Sequence, residues 1–330
     1  MSSFEGSIHW PAEVVRAPRA RRGSPSAPVP WALFGFGRGW AWNPGVGLTE
    51  LPDLGAVNAT TFLYSPLSRD GRTLTYWNHT SGGPQTRGEQ SFVFYDVLSA
   101  TRSLGPPLER SPVVEPYFSG PGGERITEQV QLATDGSWQS SRAVLDHGEA
   151  QTTIPIGGRI FSNFSGAAAQ FSPNGRRIAM SIGYSSEPRR RLVSVLNLDT
   201  GNVEQYPELQ LAGSGAWSAD GTRLLVSDMK LHPVVFDLNT GTRTGLDEIL
   251  PIWERLRERG MSPVGWIDDR HLLVYLDQPG ARLLLRAINV DSAEQHDLLD
   301  LPRPGSLSDF RGIMMAQDVV FADPESIWAV

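Results

Sequence analysis

His79, His232 and Glu89 are the side chains whose chemistry suits acid–base work: an imidazole can hold or release a proton near neutrality, and a carboxylate can partner it. His79 and Glu89 lie in the polar stretch Asn78 to Gln90 (NHTSGGPQTRGEQ), and His232 in Asp228 to Pro233 (DMKLHP). A second group suits ligand binding rather than catalysis: Arg87, Glu115, Tyr117, Trp138, Tyr184 and Arg189 offer charge and aromatic faces. Two imidazoles are too few for a zinc site, and neither H-x-H nor H-E-x-x-H occurs. No metal and no cofactor is therefore expected.

Other chemistries are excluded by composition. The chain has no cysteine, which removes disulfides, thiolate catalysis and thiolate-bound metals. Lys230 is the sole lysine, so lysine chemistry is confined to that position. G-x-S-x-G is absent, and Gly213-Ser-Gly-Ala does not sit between a strand and a helix. A net charge of −7 argues against a nucleic-acid partner. No apolar run is long enough for a transmembrane helix. Met1 to Pro30 lacks the apolar stretch of a secretory leader and carries Arg16, Arg19, Arg21 and Arg22. A cytoplasmic protein is expected; the alternative is a secreted or periplasmic domain whose leader is absent from this chain.

The elements that must position these side chains come from a repeat. Of 330 residues, 34 are glycine and 25 proline, which implies many turns. The clearest units are AAAQFSPNGRRIAMSIG…RLVSVLNLDTGNVEQYP from Ala167, GSGAWSADGTRLLVSD…PVVFDLNTGTRTGL from Gly213, and PVGWIDDRHLLVYLD…ARLLLRAINVDSAEQHDL from Pro263. Each reads as four short strands. The first ends in an aromatic (Phe171, Trp217, Trp266), and tight turns follow at Asn174-Gly175, Asp220-Gly221 and Asp268-Asp269. Earlier units centre on Ser68-Arg-Asp-Gly71 and Pro121-Gly-Gly123. Turns near 71, 122, 175, 221 and 269 recur about every 46 to 53 residues.

The ends complete one another. Val319 to Val330 reads as the first two strands of a unit and Trp40 to Leu48 as the last two, giving five whole units plus one shared. The expected fold is all-β: a six-bladed β-propeller of four-stranded blades, the last completed by N-terminal strands, with seven blades as the alternative. Residues 31–330 form this single domain, and residues 1–30 a basic, Pro- and Arg-rich arm that reads as disordered. Asp247 to Arg259 breaks the β pattern and reads as a short helix.

FSPNGRRIAMS (171–181) and WSADGTRLLVSD (217–228) resemble the repeat of TolB-like, or WD40-like, β-propellers, whose unit reads F-S-P-D-G-x-x-I-A-F and then a strand ending D-x-x-T-G. The match spans about residues 35 to 330 and departs at Phe118-Ser-Gly-Pro-Gly-Gly123. The resemblance implies a propeller of six or seven blades and leaves function open.

In such a ring one end gathers the loops joining second to third strands and the loops joining blades. His79, Arg87, Glu89, Tyr184, Arg189 and His232 fall on the former; Glu115 and Tyr117, and Arg159 with them, read as blade-joining; Trp138 reads as a loop aromatic without a repeat partner. The expected function is a non-catalytic binding module holding a peptide, protein or small molecule at this end. The alternative is a propeller enzyme (a lyase, hydrolase or cyclase) using His79, His232 and Glu89.

Overall fold

Local patterning carries through to a ring of blades in the computed structural model. It describes residues 7–329 except 18, 36–37, 53, 55–66, 79–90, 105–112, 120–123, 133–137, 147–150, 155, 157, 161–167, 185–186, 251–260 and 304–309. Two short strands, β1 (Val15–Arg16) and β2 (Arg21–Arg22), precede the ring. Blade one takes β3 (Trp31–Gly35), β4 (Arg38–Asn43) and β5 (Gly47–Glu50); blade two takes β6 (Thr73–Asn78), β7 (Ser91–Asp96) and β8 (Thr101–Leu104). Blade three is β9 (Val113–Ser119), β10 (Arg125–Leu132), β11 (Trp138–Asp146) and β12 (Gln151–Ile154). Blade four has a divided innermost strand, β13 (Arg159–Ile160) and β14 (Ala169–Phe171), followed by β15 (Arg177–Tyr184), β16 (Glu187–Asn197) and β17 (Val203–Pro207). Blade five is β18 (Gln210–Leu211), β19 (Arg223–Ser227), β20 (Pro233–Asp237) and β21 (Arg243–Gly245). After α1 (Leu246–Ile249), blade six is β22 (Ser262–Trp266), β23 (His271–Gln278), β24 (Arg282–Asn289) and β25 (Gln295–Pro302). β26 (Phe310–Met315) returns to blade one and pairs with β3.

The second strands are aliphatic and buried on both faces, as β15 and β19 are, because each blade is packed between two others. The repeat aromatics Phe171, Trp217 and Trp266 are buried, so they are packing residues. The first turns share one hydrogen-bond set. Ser68, Ser172 and Ser218 Oγ donate to Asp70, Asn174 and Asp220, while the N–H groups of Thr73, Arg177 and Arg223 donate to the serines. The residues that carry the family resemblance are thus spent on turn geometry.

The ring closes differently from the expectation. The C-terminal part supplies one strand, β26, and the N-terminal part supplies three, β3 to β5. Residues 319–329 are not a strand pair: α2 (Gln317–Ala322) is followed by a 3-10 turn over Pro324–Ile327. Gln317, Val320 and Phe321 are buried at helical spacing, and Pro324 opens the 3-10 turn, where a missing N–H costs nothing.

The arm also departs from the disordered reading wherever it is described. β1 pairs in parallel with β25, and β2 in parallel with β5, adding a fifth strand to the outer edges of blades six and one. Trp10 stacks on His296 with centroids 4.6 Å apart and meets His271 edge-on at 4.8 Å. The first turn of the expected helix over 247–259 is present as α1, and residues 251–260 lie outside the described set.

Candidate functional site

The two ends of the propeller axis differ. At the end carrying the tight turns, the innermost strands are tied together. Ser214 and Gly215 N–H donate to Val264 O at 2.7 and 3.1 Å, and Met315 N–H donates to Ser214 Oγ at 2.9 Å. Gln170 Nε2 donates to Ser214 O, while its Oε1 accepts from Ala216 N–H. The C-terminal segment then lies over this end. Gln317 Nε2 donates to Trp217 O at 2.9 Å, and Trp31 and Trp42 donate to Ile327 O and Ser326 O. Arg69, from the first turn of blade two, donates through Nε to Asp318 Oδ1 at 2.8 Å and through a terminal nitrogen to the carbonyls of Phe171 and Ser172 at 2.9 and 2.8 Å. Burial pulls the Arg69 guanidinium below its usual range, and Asp318 pulls it back up. This end is stoppered.

The loop end carries a different arrangement. Glu128 of β10 is fully buried. Its Oε1 accepts from Ile160 N–H at 3.1 Å, and its Oε2 lies 3.7 Å from Arg159 Nε. Arg159 begins the innermost strand of blade four and stays partly exposed. It is opposite Gly183, the neighbour of half-buried Tyr184. A Cβ on Gly158 would stand 2.6 Å from Gly183 O and 3.2 Å from Tyr184 Cε1, so glycine permits this close approach. Between blades four and five, Arg191 donates to Gln210 Oε1 at 2.9 Å. Gln210 and Ser227 stand opposite each other in register, and Gln210 Nε2 and Ser227 Oγ are buried without hydrogen-bond partners among the described residues. Next along the chain, Asp228 Oδ1 accepts from Lys230 and His232 N–H at 2.8 Å each, and Asp228 Oδ2 lies 3.5 Å from His232 Nδ1. This loop holds exposed Leu231 at φ 66°.

Of the expected site residues, His79, Arg87 and Glu89 lie outside the described residues. His232 is in the expected loop, held by Asp228. Tyr184 ends β15 beside Arg159 and Gly183. Three placements are corrected. Glu115 and Tyr117 lie within β9, the innermost strand of blade three, opposite Glu128 and Ile126, rather than in a blade-joining loop. Trp138 opens β11 opposite Leu132 instead of sitting in a loop. Arg189 lies within β16, whose pairing with β15 extends to Tyr184 opposite Glu187. Among the described residues, no three His, Asp or Glu side chains group as metal ligands, and no helix is long and apolar enough to cross a membrane.

Glu128 and Arg69 are not among the residues expected from sequence, although each left a signal there. Glu128 occupies the apolar register Ile126, Glu128, Val130, where an acid is out of place. Arg69 stands where the equivalent turns have Pro173 and Ala219.

No protein-family model and no curated protein matches the chain by sequence. Solved structures do match. TolB from Acinetobacter baumannii aligns with a TM-score of 0.50 at 15% identity, covering 89% of this chain and 67% of that one. An oligogalacturonate lyase in complex with manganese aligns at 0.46 and 11% identity, covering 86% and 75%. Oligogalacturonate lyase from Vibrio parahaemolyticus aligns at 0.44 and 11%, covering 73% and 65%. Identities this low speak to fold alone. In fold, the chain is a six-bladed β-propeller similar to TolB.

Proposed function

We propose that this protein is a binding module that takes a peptide, protein segment or small molecule at the loop end of its axis. The observation that carries this reading is the stopper at the other end: the tied innermost strands, α2 and the Arg69–Asp318 pair leave the loop end as the place for a ligand to approach the axis. Arg159 and Tyr184 are the contact groups at the mouth, with Glu128 holding Arg159 in place from behind. His232, Arg189 and Trp138 belong to the same end and are assigned to its outer contacts, together with Glu115 and Tyr117 on the innermost strand of blade three. The bound form is rigid on the protein's side, because strands rather than free loops carry most of these groups.

A thermal-shift panel of acidic sugars, nucleotides and short peptides tests the reading. A compound that stabilises the protein saturably should lose its effect in Arg159→Ala/Tyr184→Ala and keep it in Val46→Ser, a change at an exposed turn beside the stopper. A ligand indifferent to the mouth variant and sensitive to the turn-end variant would overturn the assignment.

A further inference from the structure

Residues 15–22 carry a feature the mouth does not use. Arg16, Arg19, Arg21 and Arg22 are all exposed. Arg16 Nε lies 3.9 Å from Asp300, and among the described residues Arg19, Arg21 and Arg22 have no carboxylate or hydrogen-bond partner for their side chains. Four cations in seven residues, three of them without a carboxylate partner among the described residues, are unusual on a chain of net charge −7. They are also fixed in place, because β1 and β2 are zipped onto blades six and one and Trp10 is anchored upstream. β1 and β2 are the outermost strands of their sheets, so their far edges offer unpaired backbone groups.

We infer that this outer strap is a docking surface for an extended acidic peptide segment of a partner protein. Charge complementarity supplies the attraction, and the open edges supply backbone hydrogen bonds to a strand laid alongside. The neighbourhood favours a narrow partner over a flat one. Glu50 is paired with Arg22 in register, and Glu294, Asp297 and Asp300 lie on or beside β25. A plane of anionic lipid would meet those carboxylates along with the arginines, whereas one acidic strand following the strap would not. The surface is on the blade edges, apart from the mouth, and does not depend on what the mouth binds.

The test uses the full chain and a fluorescein-labelled decapeptide of alternating Glu and Thr, followed by anisotropy at low salt. Saturable binding is expected, weakened about tenfold in Arg19→Gln/Arg21→Gln/Arg22→Gln and falling with added salt. Arg72→Gln/Arg102→Gln/Arg176→Gln removes the same charge from exposed positions elsewhere and should leave affinity within about twofold. Unchanged melting temperatures would show that both variants fold. Absence of saturable binding, or equal weakening in the control, would overturn the inference. So would stronger binding to phosphatidylserine vesicles or to a single-stranded oligonucleotide that is lost in the same triple variant.

Discussion

Replacing Arg69 by Met should be among the most damaging single changes in the molecule. The guanidinium serves Asp318 with two nitrogens and the carbonyls of Phe171 and Ser172 with a third. Methionine fills the space of the stem but leaves a largely buried carboxylate and two carbonyls unanswered. Breaking such a pair from one side costs about 3–5 kcal/mol. That is a large part of the roughly 5–15 kcal/mol that holds a folded protein together. With a urea slope of about 3 kcal/mol per molar, the midpoint should fall by about 1 to 1.7 M. Asp318→Leu should cost a similar amount, because it strands the cation. The double variant should recover much of the loss, giving a coupling of about 2 kcal/mol or more. Urea unfolding followed by tryptophan fluorescence gives the four midpoints of the cycle. Hydrogen exchange adds a local readout, since the amides of α2 should lose protection in either single variant. Single variants that each cost under about 1 kcal/mol and simply add would refute the stopper as a coupled, buried device.

Four further outcomes follow from particular residues. Trp217→Ala should lower stability by about 3–5 kcal/mol, because the ring is fully buried between blades and its Nε1 donates to Gln170 O; calorimetry checks this. Ala100→Gly and Ala293→Gly should each raise the melting temperature slightly, by about 0.5–1 kcal/mol in stability, since both alanines sit at positive φ where the equivalent turns have Gly201 and Gly241. Gly158→Ala should cost about 1–3 kcal/mol and shift the NMR signals of Tyr184, because the new methyl meets Gly183 O. Asp96 and Asp237 lie below the ordinary carboxylate range because the N–H groups of Ser99 and Thr240 donate to them. Their folded pKa is below the unfolded one, so their contribution is complete above the unfolded value of about 3.9 and is lost as pH falls through the folded one. Denaturation midpoints for Asp237→Asn against pH should therefore converge on the parent's in acid and separate above that range.

Much of the architecture was legible because each repeat carries its own punctuation. Asn174-Gly175, Asp220-Gly221, Asp199-Thr-Gly201 and Asn239-Thr-Gly241 mark turns that only a few residue types tolerate, so the four-strand unit shows without any long-range information. The closure was legible in outline and wrong in detail. Val319-Val-Phe-Ala suits a strand by propensity, yet tertiary burial of Val320 and Phe321 on one side makes it helical. The strap was missed because Arg-, Pro- and Ala-rich sequence has too little apolar surface to fold alone; it is ordered by the blade edges it pairs with. The candidate site was least legible. Glu128 and Arg159 come from different blades 31 positions apart, and nothing local links them. Cross-blade geometry of this kind is created by the ring and appears in no window of sequence.

On the proposed function, ligands approach the axis from the loop end. Crystals soaked in a set of small polar probes, such as glycerol, acetate, glucose and benzamidine, would map it directly without knowledge of the natural ligand. Probe density is expected to gather beside Arg159 and Tyr184 at the mouth. Density gathering instead at the turn end, around α2 and Arg69, would contradict it.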